Sequence, residues 1–225
     1  MRKALPVISL ILCTSLLAQQ PDRQTHSVAD VRDEAERLNQ TPFGVVVPEV
    51  RRSSPADNSE VISKTRLGHS VPRMAKRQFE QGLQAGKKGR TGESIRHLAL
   101  AIGLDPLYWE AHAQLADLYW QTGEKAAALE CLEAALAIDA NSEILQSNKA
   151  VALLDLGRPA EAEVAAYRTL RLNPQSVAGH YLLALAMLRQ GKIIEETAEH
   201  LKSAVGRIPQ AQEIYNRLRE HLSSP

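Results

Sequence analysis

The segment WEAHAQLADLYWQTGEKAAALECLEAALAIDA, residues 109–140, decides the fold. Before Gly123, large apolar residues recur at intervals of three and four, which predicts an amphipathic helix. After Gly123, an alanine- and leucine-rich stretch repeats this spacing as far as Ile138. Glycine between two periodic stretches marks a turn, because it adopts backbone angles that other residues avoid. The segment therefore predicts two helices joined by a tight turn.

The same arrangement recurs on both sides of this segment. A period of about 34 residues predicts a stack of two-helix units, in which each unit buries the apolar face of its neighbour. The turn glycines are Gly89, Gly123, Gly157 and Gly191, all 34 residues apart, and the closing residues are Pro106, Ala140, Pro174 and Pro209, with a spacing of 34, 34 and 35.

Small residues recur where the two helices of a unit cross and where the next unit docks. In the second unit they are Ala116, Ala128 and Ala135, and small side chains let helix axes approach to about 8–9 Å. Together with the period, these positions resemble the tetratricopeptide repeat family. The resemblance implies an all-α, right-handed α-solenoid of about four helix-turn-helix repeats with a C-terminal capping helix. The composition of the preceding residues adds a disordered N-terminal tail.

The chain of 225 residues divides into four parts on this interpretation. Residues 19–71 contain four prolines and a single aromatic residue, Phe43, so they offer too little apolar surface to offset the entropy of ordering them. The parts are a signal peptide at 1–18, a flexible segment at 19–71, the repeats at 72–209 (units 75–108, 109–142, 143–176 and 177–211) and a capping helix with the C-terminus at 210–225.

The first 18 residues have the composition of a targeting segment. A basic start at Arg2 and Lys3 precedes a run without charge from Ala4 to Ala18. This run is shorter than the roughly 20 residues that span a bilayer, and the pattern is typical of a cleavable signal peptide cut near Ala18. We expect an exported protein, periplasmic or extracellular. An uncleaved N-terminal segment that anchors the chain to a membrane is the alternative.

Composition argues against several functional classes. Aromatic residues make up only 4% of the chain, which disfavours an all-β sandwich. A net charge of +1 argues against a strongly basic nucleic-acid binder, and two cysteines exclude a disulfide scaffold. Cleavage near Ala18 would leave Cys131 alone. A small packing residue is the expected role of Cys131, and a reactive or intermolecular thiol is the alternative.

The sequence contains no motif that points to catalysis or to a cofactor. The patterns GxxxxGK[ST], GxGxxG, GxSxG and HExxH are all missing. His112 and His180 occupy equivalent places two periods apart, so we expect packing roles and not a shared metal site. The prediction is a non-catalytic protein without cofactor or metal residues.

The resemblance implies that the first helices of successive units line a concave groove where ligands lie. Some members clamp C-terminal carboxylates there with basic residues, but the matching positions here hold Phe79, Leu83, Gln114, Ile144 and Asn148, which disfavours that mode. An apolar groove exposed to water usually marks a binding site. The groove candidates are Phe79, Leu83, Trp120, Val151, Leu154, Tyr181, Leu185 and Leu188.

The resulting functional prediction is a scaffold or adaptor of the cell envelope that binds a peptide or helix of another protein. Nucleic acid is not expected as a ligand, and contact with a membrane surface is not required. A self-assembling structural component, or an accessory subunit of an enzyme or secretion complex, is the alternative. The partner, the pathway and the oligomeric state stay open. Whether the apolar segment Phe43–Val47 lies in the groove is also open.

Overall fold

The computed structural model describes residues 69–223. The predicted signal peptide and the segment Phe43–Val47 lie outside these residues. Nine α-helices and no strand occur within the described range. They are α1 (Arg73–Lys87), α2 (Thr91–Leu104), α3 (Trp109–Gln121), α4 (Lys125–Ile138), α5 (Glu143–Asp155), α6 (Pro159–Leu172), α7 (Val177–Arg189), α8 (Glu195–Ala204) and α9 (Pro209–Ser223).

Helix boundaries follow from local chemistry. The side chains of Ser142 and Ser176 accept hydrogen bonds from the amides of Leu145 and Gly179, which caps α5 and α7. Inside the second pair, Gly123 turns the chain at φ 85°, a region that residues with a Cβ atom rarely adopt, and the equivalent glycine of each other pair does the same.

The helices pack mainly on their neighbours along the chain. The pairs α1/α2, α3/α4 and α5/α6 make the most extensive contacts, followed by α6/α7 and α7/α8, and α5 also packs on α7. Contacts confined to neighbouring elements and to the next unit are typical of a solenoid. The prediction of an all-α array of stacked helix pairs is confirmed.

Small residues allow the close approach of the helices. Ala116, Ala128 and Ala135 are at most 1% exposed, as their predicted place at the crossings requires. At Gly179, on the side of α7 that faces α6, a Cβ atom would lie 2.9 Å from Leu170 Cδ2, so only glycine fits without movement. Close helix approach therefore holds each pair together and docks one pair on the next.

The last part of the array departs from the regular unit. Helix α8 has 10 residues, whereas α2, α4 and α6 have 14 each. The extra residue of the fourth unit lies in the longer connection that precedes Glu195. Helix α9 then buries Ala211, Ile214 and Leu218 and exposes mostly polar side chains, which suits the terminal cap of a solenoid.

The main apolar cluster runs from α3 to α9, with smaller clusters at the α1/α2 end. Helix α7 lies at its centre, since every residue from Tyr181 to Leu188 is at most 3% exposed. None of the helices between residues 69 and 223 combines the length and the apolar character needed to cross a bilayer.

Candidate functional site

The predicted groove residues of the first two units are partly accessible. Phe79 and Leu83 on α1 and Trp120 on α3 all have intermediate exposure. The ring of Phe79 packs against Tyr108, with 4.9 Å between ring centroids. These side chains are anchored by the fold and still present part of their surface to solvent, as a binding surface requires.

The remaining groove candidates lie in the core. Val151 is 8% exposed, and Leu154, Tyr181, Leu185 and Leu188 are at most 3% exposed. The expectation of an open apolar groove along α5 and α7 is therefore wrong. The reason is the composition of α7, VAGHYLLALAMLR, which is apolar all round; such a helix is stable only when all of its faces are covered.

Polar side chains surround Trp120 at the end of α3. Gln121 Nε2 donates a hydrogen bond of 2.8 Å to Asp117 Oδ2. Burial raises the pKa of Asp117, and this hydrogen bond opposes the rise. Lys125 Nζ lies 5.6 Å from the Trp120 ring centroid. We call Asp117, Trp120, Gln121 and Lys125 the α3 cluster.

A second polar group fixes the connection between α7 and α8. Lys192 Nζ contacts both carboxylate oxygens of Glu163 on α6, at 2.7 and 2.8 Å, and the Gln190 amide donates to the same carboxylate. Burial alone would raise the pKa of Glu163, but these hydrogen bonds lower it. Both carboxylate oxygens of Glu163 therefore bond to side chains of the same chain, which indicates a structural role for this group.

The histidines hold helices to the adjoining connections. His112 Nε2 lies 3.2 Å from the carbonyl oxygen of Pro106, and His180 Nε2 lies 3.0 Å from that of Pro174. The structure also brings together two histidines that sequence reasoning missed as a pair. His180 Nδ1 lies 2.9 Å from His200 Nδ1 on α8. Burial and the neighbouring His180 lower the pKa of His200. Antiparallel pairing of α7 with α8 was the signal that could have revealed this contact.

The described residues offer little for other chemistry. No group of three or more His, Cys, Asp or Glu side chains between residues 69 and 223 could hold a metal ion. Cys131 is half-buried on α4, and burial raises the pKa of its thiol to about 11. The thiol therefore stays protonated at neutral pH, which favours the packing role over a reactive thiolate.

Family models identify the array. Two models, each described as tetratricopeptide repeat, match residues 87–151 and 147–212. Together they span more than half of the 225 residues. The chain therefore belongs to the tetratricopeptide repeat family, whose fold is a scaffold for protein–protein interaction.

Solved structures share the fold at low sequence identity. MamA from Desulfovibrio magneticus RS-1 is 17% identical with a TM-score of 0.58, and the match covers 68% of this chain and 97% of that one. A tetratricopeptide repeat protein from Parabacteroides merdae is 16% identical with a TM-score of 0.60, over 66% of this chain and 60% of the other.

Curated relatives match a shorter region. The peroxisomal targeting signal receptor of Candida glabrata is 29% identical over 110 residues, which is 49% of this chain and 18% of that protein. The receptor of the same name from Kluyveromyces lactis is 28% identical over the same length. The chain thus spans less than a fifth of the length of these relatives.

Proposed function

We propose that this protein is a non-catalytic scaffold that holds a peptide or helix of another protein on the inner face of α1 and α3. The observation that carries the proposal is the α3 cluster, where a partly exposed Trp120 lies on the same helix face as Asp117, a carboxylate with a raised pKa. The family fold supports a binding role, and the burial of α5 and α7 restricts the accessible inner face to the first two units.

The side chains of the α3 cluster indicate which kind of partner segment would bind there. Trp120 offers a large, rigid apolar surface, and residues of this kind dominate protein interfaces. Asp117 accepts a hydrogen bond from the uncharged Gln121, and its raised pKa reflects the cost of burying a charge. A partner segment with an apolar side chain next to a lysine or arginine would cover the ring and neutralise the carboxylate. Phe79 and Leu83 would extend the contact along α1.

The curated relatives support recognition of a protein segment. Their name describes a receptor for a targeting signal, and the matched region covers about half of this chain. On this proposal, the chain shares with them only the general role of recognising a segment of another polypeptide.

Export to the cell envelope is part of the proposal. Its support is the basic start and the charge-free stretch of residues 1–18. Fractionation of the source cells and sequencing of the mature N-terminus test it. We expect the protein in the envelope fraction with an N-terminus near Gln19, and a cytoplasmic chain that starts at Met1 would contradict export.

Binding is tested in two stages. The mature chain first captures partners from its own envelope fraction, and calorimetry then measures the affinity for the captured partner. We expect Trp120→Ala to weaken binding by about 1–3 kcal/mol and Asp117→Asn to weaken it less. Tyr167→Ala on α6 is the matched control, since this aromatic residue is 42% exposed on a second helix. Equal affinities for the Trp120 variant and the wild type would refute the site.

A further inference from the structure

A cavity of about 300 Å³ lies where the end of α6 meets the start of α5. None of the predicted groove residues lines it. Because the two helices of a unit are antiparallel, the last turn of α6 stands beside the connection that leads into α5. The lining residues are Ala140, Asn141, Gln146, Arg168, Arg171 and Leu172.

Two arginines near the C-terminal end of α6 give the cavity a positive charge. Arg168 and Arg171 are exposed, and the ion pairs among the described residues involve other arginines, such as Arg158 and Arg219. Glu143, at the start of α5, is instead bonded by Asn173 Nδ2 at 3.0 Å. The stacking of units does not require the arginines, since the equivalent positions are Leu100 and Gly103 in the first unit and Ala134 and Ala137 in the second.

The buried amide of Gln146 lines the same cavity. This side chain is 5% exposed, and its Oε1 atom has no hydrogen-bond partner. At the equivalent position of the neighbouring units, His112 and His180 bond the carbonyl oxygens of Pro106 and Pro174. An unpaired buried polar atom costs about 1–3 kcal/mol. Rotation of the amide exchanges its oxygen and nitrogen, so the group can present an N–H donor or an acceptor to a ligand.

We propose that this cavity binds a carboxylate of an acidic segment of a partner protein. The arginine guanidinium is planar and matches the two oxygens of a carboxylate in a bidentate arrangement, and the Gln146 amide adds a neutral donor. This ligand assignment rests on the proposed function, because the carboxylate belongs to a bound protein, but the site is separate from the α3 cluster.

The test uses the whole chain and nuclear magnetic resonance. The probes are the blocked peptides Ala-Glu-Glu-Ala and Ala-Gln-Gln-Ala, together with inorganic phosphate, each titrated in the same buffer. We expect the glutamate peptide, and not the glutamine peptide, to shift the arginine side-chain signals and the backbone amides of residues 140–146. Arg168→Gln combined with Arg171→Gln should weaken binding by about tenfold or more, because each bidentate contact to a charged group is strong.

Two further variants separate binding from folding and from total charge. Arg96→Gln combined with Arg207→Gln removes the same charge from exposed positions elsewhere and should leave the affinity unchanged. Gln146→Leu removes the unpaired amide, so it should weaken binding while the melting temperature stays the same or rises.

The competing outcomes are distinct. Equal binding of the two peptides, or equal loss in the charge control, would overturn the carboxylate site. Binding of phosphate without binding of the glutamate peptide would also overturn it, in favour of a phosphate ligand. If the glutamate peptide does not bind while the captured partner still depends on Trp120, the cavity proposal fails and the proposed function stands.

Discussion

Replacing Gly179 by alanine tests the docking of the fourth unit on the third. A Cβ atom at this position would lie 2.9 Å from Leu170 Cδ2 and 3.1 Å from Thr169 Cγ2. Thr169 is fully buried, so it cannot move aside without disturbing α6. Overpacking of this kind costs about 1–3 kcal/mol.

The matched control is Gly103→Ala on α2, where a new Cβ atom would meet nothing within 4 Å. Both changes place alanine in a helix, which favours the helix by about 0.5–1 kcal/mol, so this gain cancels in the comparison. We expect the Gly179 variant to be less stable than the Gly103 variant by about 1–3 kcal/mol.

Urea unfolding followed by circular dichroism at 222 nm measures this difference through the transition midpoints. If both variants unfolded at the same urea concentration, the close contact between α6 and α7 would be absent in solution. The stacking geometry derived from the small-residue pattern would then be incorrect.

Three further predictions concern single side chains. The pKa of His200 is lowered from 6.5 in the folded chain, so on acidification the unfolded chain binds a proton at this histidine first. The contribution of neutral His200 to stability is therefore complete above about pH 6.5, and it is lost as the pH falls from there to the lower pKa of the folded state. Urea midpoints at pH 7.5 and 5.5 should differ less for His200→Gln than for the wild type, and an equal difference would refute the assignment. Leu154→Ala should destabilise the fold by about 2–5 kcal/mol, whereas Leu100→Ala, at an exposed position, should change stability by less than about 0.5 kcal/mol; similar losses would contradict the core assignment. Cys131 should react slowly with iodoacetamide at pH 7.5 and much faster in urea, because burial raises its pKa to about 11, and equal rates would show that the thiol is exposed.

The sequence predicts the fold more completely than it predicts the binding site. Turn glycines such as Gly123 and small residues such as Ala128 recur at a fixed period. The tight turn requires the glycine and the close approach of helices requires the small residue, and both requirements hold in every unit. Repeat position alone predicts which residues face inwards, and it takes no account of how apolar the rest of each helix is. Helix α7 has no charged residue before Arg189, and that pattern favours a helix buried all round over an open wall.

The cavity and the histidine pair depend on contacts between elements. Gln146 lacks the bond that His180 makes, and this difference is visible only when the carbonyl oxygens of the preceding connections are placed. His180 and His200 are 20 residues apart, and only the pairing of α7 with α8 brings their rings to 5.2 Å.

Site-specific photo-crosslinking in living source cells tests the binding face most directly. Benzoyl-phenylalanine is placed either at Gln121, an exposed member of the α3 cluster, or at Leu100, which is 49% exposed on α2 and distant from the cavity at the end of α6. We expect a crosslink to another protein from position 121 and none from position 100. A crosslink from position 100 alone would place the partner on the second helices and contradict the inner-face assignment.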